Sequence, residues 1–285
     1  MTLSWSVPRR GGNLLCPEDF LTTLGRLRDR HPEPWDLLLA SGRTLSAEPP
    51  PGAIRARTGG SPVLFEVIND TGRTARWLLN HGDREARSGP IRSEQIVVRG
   101  GDEAACYDLL SSVLGAGGGV LRLRGRRTRL ILLICGENNA LNTRGRGLST
   151  LARPGPVLAE ALEHGWVALN PAHSPYWPQS KMTGFAKVGR VGGVGETMAR
   201  TVTRRTPYPD GTSPPLAFVH ANNFLADQPR TREYASVAFG PEGRLASESL
   251  IEGEIPTTEG GEQLGWLAAS YRIPDGGVDR DAEGR

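Results

Sequence analysis

Apolar residues along this chain recur with two spacings. A short apolar run at residues 13–16 stops at Pro17-Glu18, after which Phe20, Leu21, Leu24 and Leu27 fall on one side of a helix. Pro32 and Pro34 end that helix. Residues 36–42 read as a buried strand, and the Pro- and Gly-rich residues 46–61 as a loop. Residues 63–68 form a strand, Asn69-Asp70-Thr71-Gly72 a turn, and residues 76–79 the returning strand. Residues 82–101 are polar and show no assignable period.

The second half continues the alternation. The spacing predicts a helix over 104–114, stopped by the glycine-rich stretch 115–119, then strands at 120–123 and 130–134. The latter strand is continuously apolar, as expected where both faces of a sheet are covered. A helix at 156–164 precedes a strand at 166–169 that stops at Asn170-Pro171. Residues 174–215 are long and irregular, and strands follow at 216–219 and 236–239. A turn at Pro241-Glu242-Gly243 lets the chain pair back from Leu245, and the polar tail from 274 to 285 is expected to be disordered. Strands mixed with helices and hairpins predict an α/β fold with helical cover. Neither a repeat nor a linker divides residues 1–285, so one domain is expected.

Composition narrows the function classes. Hydrophobic residues are 38% of the chain, against 37 Gly and 22 Pro, which suits a globular fold with many loops. Aromatics at 6% leave little for base stacking, and the net charge is only +3. Arg122, Arg124, Arg126, Arg127 and Arg129 cluster, but a run of this kind with acids nearby reads as a solvated hairpin ahead of a nucleic-acid face, so no nucleic-acid partner is expected. Cys16, Cys106 and Cys135 make no disulfide framework and no CxxC pair, and neither metal nor cofactor is expected. No apolar run suits a signal peptide or a membrane span, so the expectation is a cytoplasmic protein without a membrane partner.

Two positions carry candidate chemistry. Cys135 ends the buried strand and is followed by Gly136, which permits a sharp, open turn. A thiol there faces the crevice where α/β folds place reactive groups, with backbone N–H groups available to a developing oxyanion. The competing reading is a buried structural cysteine. Glu18 is either a carboxylate held at a strand end as a general base, or a first-turn acid favoured by the helix dipole. Gly-Arg-Val-Gly-Gly-Val-Gly at residues 189–195 fits no phosphate-loop or dinucleotide pattern and reads as a loop.

The order of these segments resembles the nitrilase, or carbon–nitrogen hydrolase, superfamily. Leu15-Cys16-Pro17-Glu18 is similar to the family's strand ending in Pro-Glu, residues 36–42 to the following strand, and residues 63–79 to its hairpin. Residues 132–138 resemble the nucleophile elbow, and 218–223 and 236–243 the two late strands. The resemblance implies a four-layer α-β-β-α sandwich, association into a homodimer or larger homo-oligomer, and a Glu-Lys-Cys triad. Glu18 and Cys135 then stand as base and nucleophile, but no lysine lies between them; the only lysines are Lys181 and Lys187. His81 is the nearest substitute, with Arg92 and the two lysines as other sources of positive charge. Loss of such a preorganised charge costs roughly 100- to 1000-fold in rate. Glu137, Asn138, His173 and Trp177 are expected around a small-molecule substrate; His173 could also pair with the thiol, and Glu137 orient the elbow's backbone. The implied activity is a thiol-dependent hydrolase or acyltransferase acting on an amide or nitrile through a covalent Cys135 intermediate. The alternative is a catalytically inactive binding or assembly subunit on the same scaffold.

Overall fold

In a computed structural model of the chain, the described residues are 1–6, 15–68, 75–80, 89–92, 120–122, 128–135, 137, 166–173, 217–225, 229–233, 235–240, 243–256 and 263–273. A first sheet contains β1 (Thr2–Trp5), β2 (Leu38–Ala40), β3 (Val63–Ile68), β4 (Ala75–Asn80), β5 (Gly89–Arg92), β12 (Ser249–Pro256) and β13 (Gln263–Ser270). A second contains β6 (Val120–Arg122), β7 (Arg129–Leu132), β8 (Trp166–Ala172), β9 (Ala217–Asn222), β10 (Ser236–Gly240) and β11 (Gly243–Arg244). Their orders are β12-β13-β1-β2-β3-β4-β5 and β11-β10-β9-β8-β7-β6. The central strands β1, β2 and β3 run parallel, as do β7, β8 and β9, with antiparallel strands outside them.

Side-chain alternation places the cores. Leu39, Leu64, Trp77 and Leu79 of the first sheet meet Leu130, Leu132, Val167, Leu169 and Val219 of the second in one buried cluster. The opposite face of the first sheet, with Leu3, Leu38, Val63 and Phe65, buries Phe20, Leu24 and Leu27 of α1 (Pro17–Arg30). On the outer face of the second sheet Trp166, Phe218 and His220 are buried too, so this sheet is also covered on both sides. The fold is the mixed α/β type that the pattern predicts, with its two sheets stacked as the α-β-β-α sandwich implied by the resemblance. No helix among the described residues is long and apolar enough to cross a membrane.

Several local expectations change. The stretch 46–61 contains a short helix, α2 (Ala53–Thr58), bracketed by Gly52 and Gly59 in left-handed conformation. These glycines reach φ of 76° and 62° without a Cβ clash, so they start and stop a helix inside what looks like loop composition. The polar stretch 82–101 contributes β5. β1 and β13, unassigned from the pattern, pair antiparallel at the centre of the first sheet. β8 does not stop at Asn170-Pro171 but runs to Ala172. Its pairing with β7 ends at Leu132–Leu169, so among the described residues Pro171 pairs with β9 alone and its missing N–H breaks no ladder there. The chain does pair back on β10, through β11 and then through Leu245 N–H on Ala238 O at 2.8 Å, before β12 crosses to β13 in the other sheet. The expected helices at 104–114 and 156–164, the turn at 69–72, the loop 174–215 and the tail 274–285 lie outside the described residues.

Candidate functional site

The parallel strands bring their C-terminal ends to a common rim, where the two sheets are stitched together. Gly42, two residues beyond β2, donates its N–H to Ala172 O at 2.9 Å. Ser41 Oγ donates to Asn223 Oδ1 at 2.6 Å. Asn223 Nδ2 in turn donates to Gly42 O at 3.0 Å and His173 O at 3.3 Å. The open crevice beyond such strand ends is where α/β sheets place their chemistry.

Cys135 lies at this rim, just past β7, and packs against the inter-sheet core. Its φ is 46°, in the left-handed region that a non-glycine residue rarely occupies. The flanking backbone is tied on both sides. Leu133 N–H donates to Leu169 O at 2.8 Å. Ile134 N–H donates to Glu137 Oε2 at 2.8 Å, and Glu137 is fully buried. Asn170 Nδ2 donates to Leu133 O at 2.5 Å and Cys135 O at 2.9 Å. Behind Asn170, His220 Nδ1 lies 2.9 Å from both Asn170 O and Asn170 Oδ1. Complete burial pushes the His220 pKa down to about 4, despite the opposing bond to Asn170.

A second group gathers at the end of β2. Glu66, on the inner face of β3 with Leu64, is buried, and its carboxylate accepts the backbone N–H of Arg43. No other hydrogen bond reaches that carboxylate from the described residues. Burial raises its pKa; the Arg43 N–H and guanidinium oppose the rise. His173 follows β8, and burial, then the charge of Arg43, hold its imidazole below the usual histidine value. Gly42 is enclosed between them. A Cβ there would meet His173 Cβ at 3.1 Å, Ala172 C at 3.2 Å and Glu66 Oε2 at 3.3 Å. Arg43 carries the turn at a φ of 52° and is exposed.

The structure thus brings Cys135, Glu137 and His173 to one rim, but not Glu18. Glu18 is exposed in the first turn of α1, which covers the face of the first sheet away from Cys135. Pro17 opens the helix and Cys16 caps it, accepting the N–H of Asp19 at 3.4 Å, so Cys16-Pro17-Glu18 forms the start of the helix. Glu137 accepts the Ile134 N–H from a fully buried position. His81, Asn138, Trp177, Lys181 and Lys187 lie outside the described residues, as does the side chain of Arg92. Glu66, Asn170, His220 and Asn223 were not singled out from the sequence. The signal for Glu66 was present, since it is the one carboxylate in Val-Leu-Phe-Glu-Val-Ile and shares the core-facing parity of Leu64. Among the described residues no group of His, Cys, Asp and Glu could hold a metal ion.

No protein-family model matches the chain, and no curated protein matches it. Solved structures with a similar chain path include an amidase from Nesterenkonia sp., at 16% identity over 100% of this chain and 92% of that one, with a TM-score of 0.42. A carbon–nitrogen hydrolase from Helicobacter pylori G27 is similar at 10% identity over 93% of this chain and 88% of that one, again with a TM-score of 0.42.

Proposed function

We propose that the protein is a thiol-dependent hydrolase or acyltransferase acting on a non-peptide carbon–nitrogen bond, an amide or a nitrile, with Cys135 as nucleophile. The observation that carries this reading is the left-handed backbone of Cys135 at a strand end, with its neighbours' polar groups tied on both sides. Backbone strain of this kind costs about 1–3 kcal/mol and persists where the surroundings over-determine it, typically at functional sites. A buried structural cysteine has no need of it.

The base in this scheme is Glu66 and not Glu18. One side of its carboxylate is anchored on Arg43 N–H, and its raised affinity for a proton brings it closer to the working range of a general base. Glu66 takes the proton of Cys135 as sulfur bonds to the amide carbon, and returns it to the nitrogen as the C–N bond breaks, leaving a thioester and a free amine. Water, losing a proton to Glu66, then cleaves the thioester and regenerates the thiol; an amine acceptor in place of water gives acyl transfer. A nitrile carbon takes the sulfur while its nitrogen takes the proton, giving a thioimidate; one water then releases ammonia and leaves the thioester, and a second water cleaves it. Arg43 supplies a fixed positive charge beside Glu66 and His173, though no transferable proton.

The test is labelling with iodoacetamide followed by peptide mass spectrometry, together with ammonia release from a panel of simple amides and nitriles. Cys135 should alkylate ahead of Cys16 and Cys106, and Cys135→Ala should abolish any turnover found. Full turnover by Cys135→Ala rejects the mechanism. A second reading, an inactive assembly subunit, is favoured by the distance in the fold between Glu18 and Cys135 and by the absence of a lysine between them. Indiscriminate labelling of the three cysteines supports that reading. In either case we propose a homo-oligomer, which light scattering on the purified chain would show.

A further inference from the structure

Buried polar atoms are nearly always paired, and each exception requires an explanation. His220 is such an exception. It lies on β9 with its side chain on the outer face of the second sheet, away from the rim cluster of Glu66 and His173. Its Nε2 is buried and has no hydrogen-bond partner among the described residues. Its Nδ1 faces two acceptors at once, Asn170 O and Asn170 Oδ1, each at 2.9 Å. An imidazole nitrogen between two acceptors must carry the proton, which leaves Nε2 as a bare, buried lone pair. The arrangement sacrifices one polar atom to keep the other fixed on Asn170.

Asn170 explains what is gained. Its amide can be oriented in two ways, and the neighbours select one. Nδ2 must face the carbonyls of Leu133 and Cys135, which can only accept, so Oδ1 faces the His220 N–H. Reversal would set Oδ1 against two carbonyl oxygens. The His220 N–H on Oδ1 therefore favours the orientation that ties down the carbonyl of Cys135. Glu137 secures the other side through Ile134 N–H, and the residue between these ties is the one with a φ of 46°.

We propose that His220 and Asn170 form a backbone lock that holds Cys135 in its left-handed conformation, making both of them positioning residues for the nucleophile. Without the lock, Cys135 relaxes towards negative φ and its thiol is carried away from its place at the rim. Misplacement of a reacting group by about 1 Å can cost on the order of 100-fold in rate. The proposal rests on the reading of Cys135 as a nucleophile and adds the device that presents it.

The test uses the full-length protein and iodoacetamide, with Cys16 as the internal reference. His220→Leu should lower the rate of Cys135 alkylation by about tenfold or more while leaving that of Cys16 unchanged. His220→Asn, whose amide N–H can occupy the place of Nδ1–H, should restore most of the rate; His220→Gln, which reaches towards the Nε2 position, should not. A folded His220→Leu that alkylates Cys135 at the wild-type rate overturns the proposal, and so does equal behaviour of the Asn and Gln variants. Should His220→Leu fail to fold, the imidazole 15N spectrum of the wild-type protein decides. The lock demands a protonated Nδ1 and a bare Nε2, and the opposite tautomer rejects it. Failure of the underlying reading looks different, because wild-type Cys135 would then show no preference over Cys16 at all.

Discussion

At the scale of single residues, the rim combines groups that are each costly to bury. Glu66 shows the cost most directly. Burial raises its pKa from the ordinary 4.5, so the folded protein retains a proton that the unfolded chain releases. Between 4.5 and that raised value the native state binds more protons, and stability must fall as pH rises through the window. Glu66→Gln has no such proton to lose. Urea unfolding of both proteins at pH 4 to 7 should show the variant gaining on the wild type as pH rises, with catalytic turnover lost; a stability difference independent of pH would contradict this assignment. A carboxylate kept at a site where its charge is penalised fits a proton-transfer role better than a structural one. The sequence made only part of this site legible. Cys135 was visible because a continuous apolar run ends in Cys-Gly. Glu18 was misplaced because a proline and an acid after a short apolar run describe a strand end and a helix start equally well. What separates the two is non-local: Leu15 makes only an isolated bridge to Leu45 before the helix begins.

At the scale of elements, α1 shows how local chemistry follows from the chain. Pro17 sits at the first turn, where its missing N–H is no loss. Glu18 and Asp19 complement the positive end of the helix, and Arg28 and Arg30 the negative end. The weak part is the cap, since Cys16 accepts the Asp19 N–H through sulfur at 3.4 Å. Serine is a preferred cap and a stronger acceptor at the same position. Cys16→Ser should therefore stabilise the protein by about 0.5–1 kcal/mol, read as a higher thermal midpoint, and a lower midpoint would refute this account of the helix start. Elements such as α1, β3 and β4 were legible because their periods are long enough to register. The short helix α2 was hidden by its flanking glycines and prolines, and the length of β8 by Pro171. In the first case the deciding factor was the glycines' tolerance of left-handed backbone, and in the second the end of the β7 pairing before the proline.

At the scale of the whole molecule, the two sheets share one core and one rim, so what destabilises one must destabilise the other. Leu132 tests this. It ends β7, is completely buried, and contacts the cluster to which both sheets contribute. Replacing it with alanine removes three buried carbons and leaves a cavity, at a cost of about 2–5 kcal/mol. If β3 and β8 exchange their amide hydrogens only through opening of the whole sandwich, Leu132→Ala should accelerate exchange in peptides from both strands by the same factor. That factor is about 30 to several thousand for a loss of this size. Hydrogen-exchange mass spectrometry measures the strands separately. Acceleration confined to β8 would mean that the sheets open independently, and that the hydrogen bonds joining Gly42, Ala172 and Asn223 do not hold the rim together. Equal acceleration would establish the condition that the proposed chemistry needs most. Cys135 belongs to the second sheet and Glu66 to the first, so a proton can pass between them only while the two sheets behave as one body.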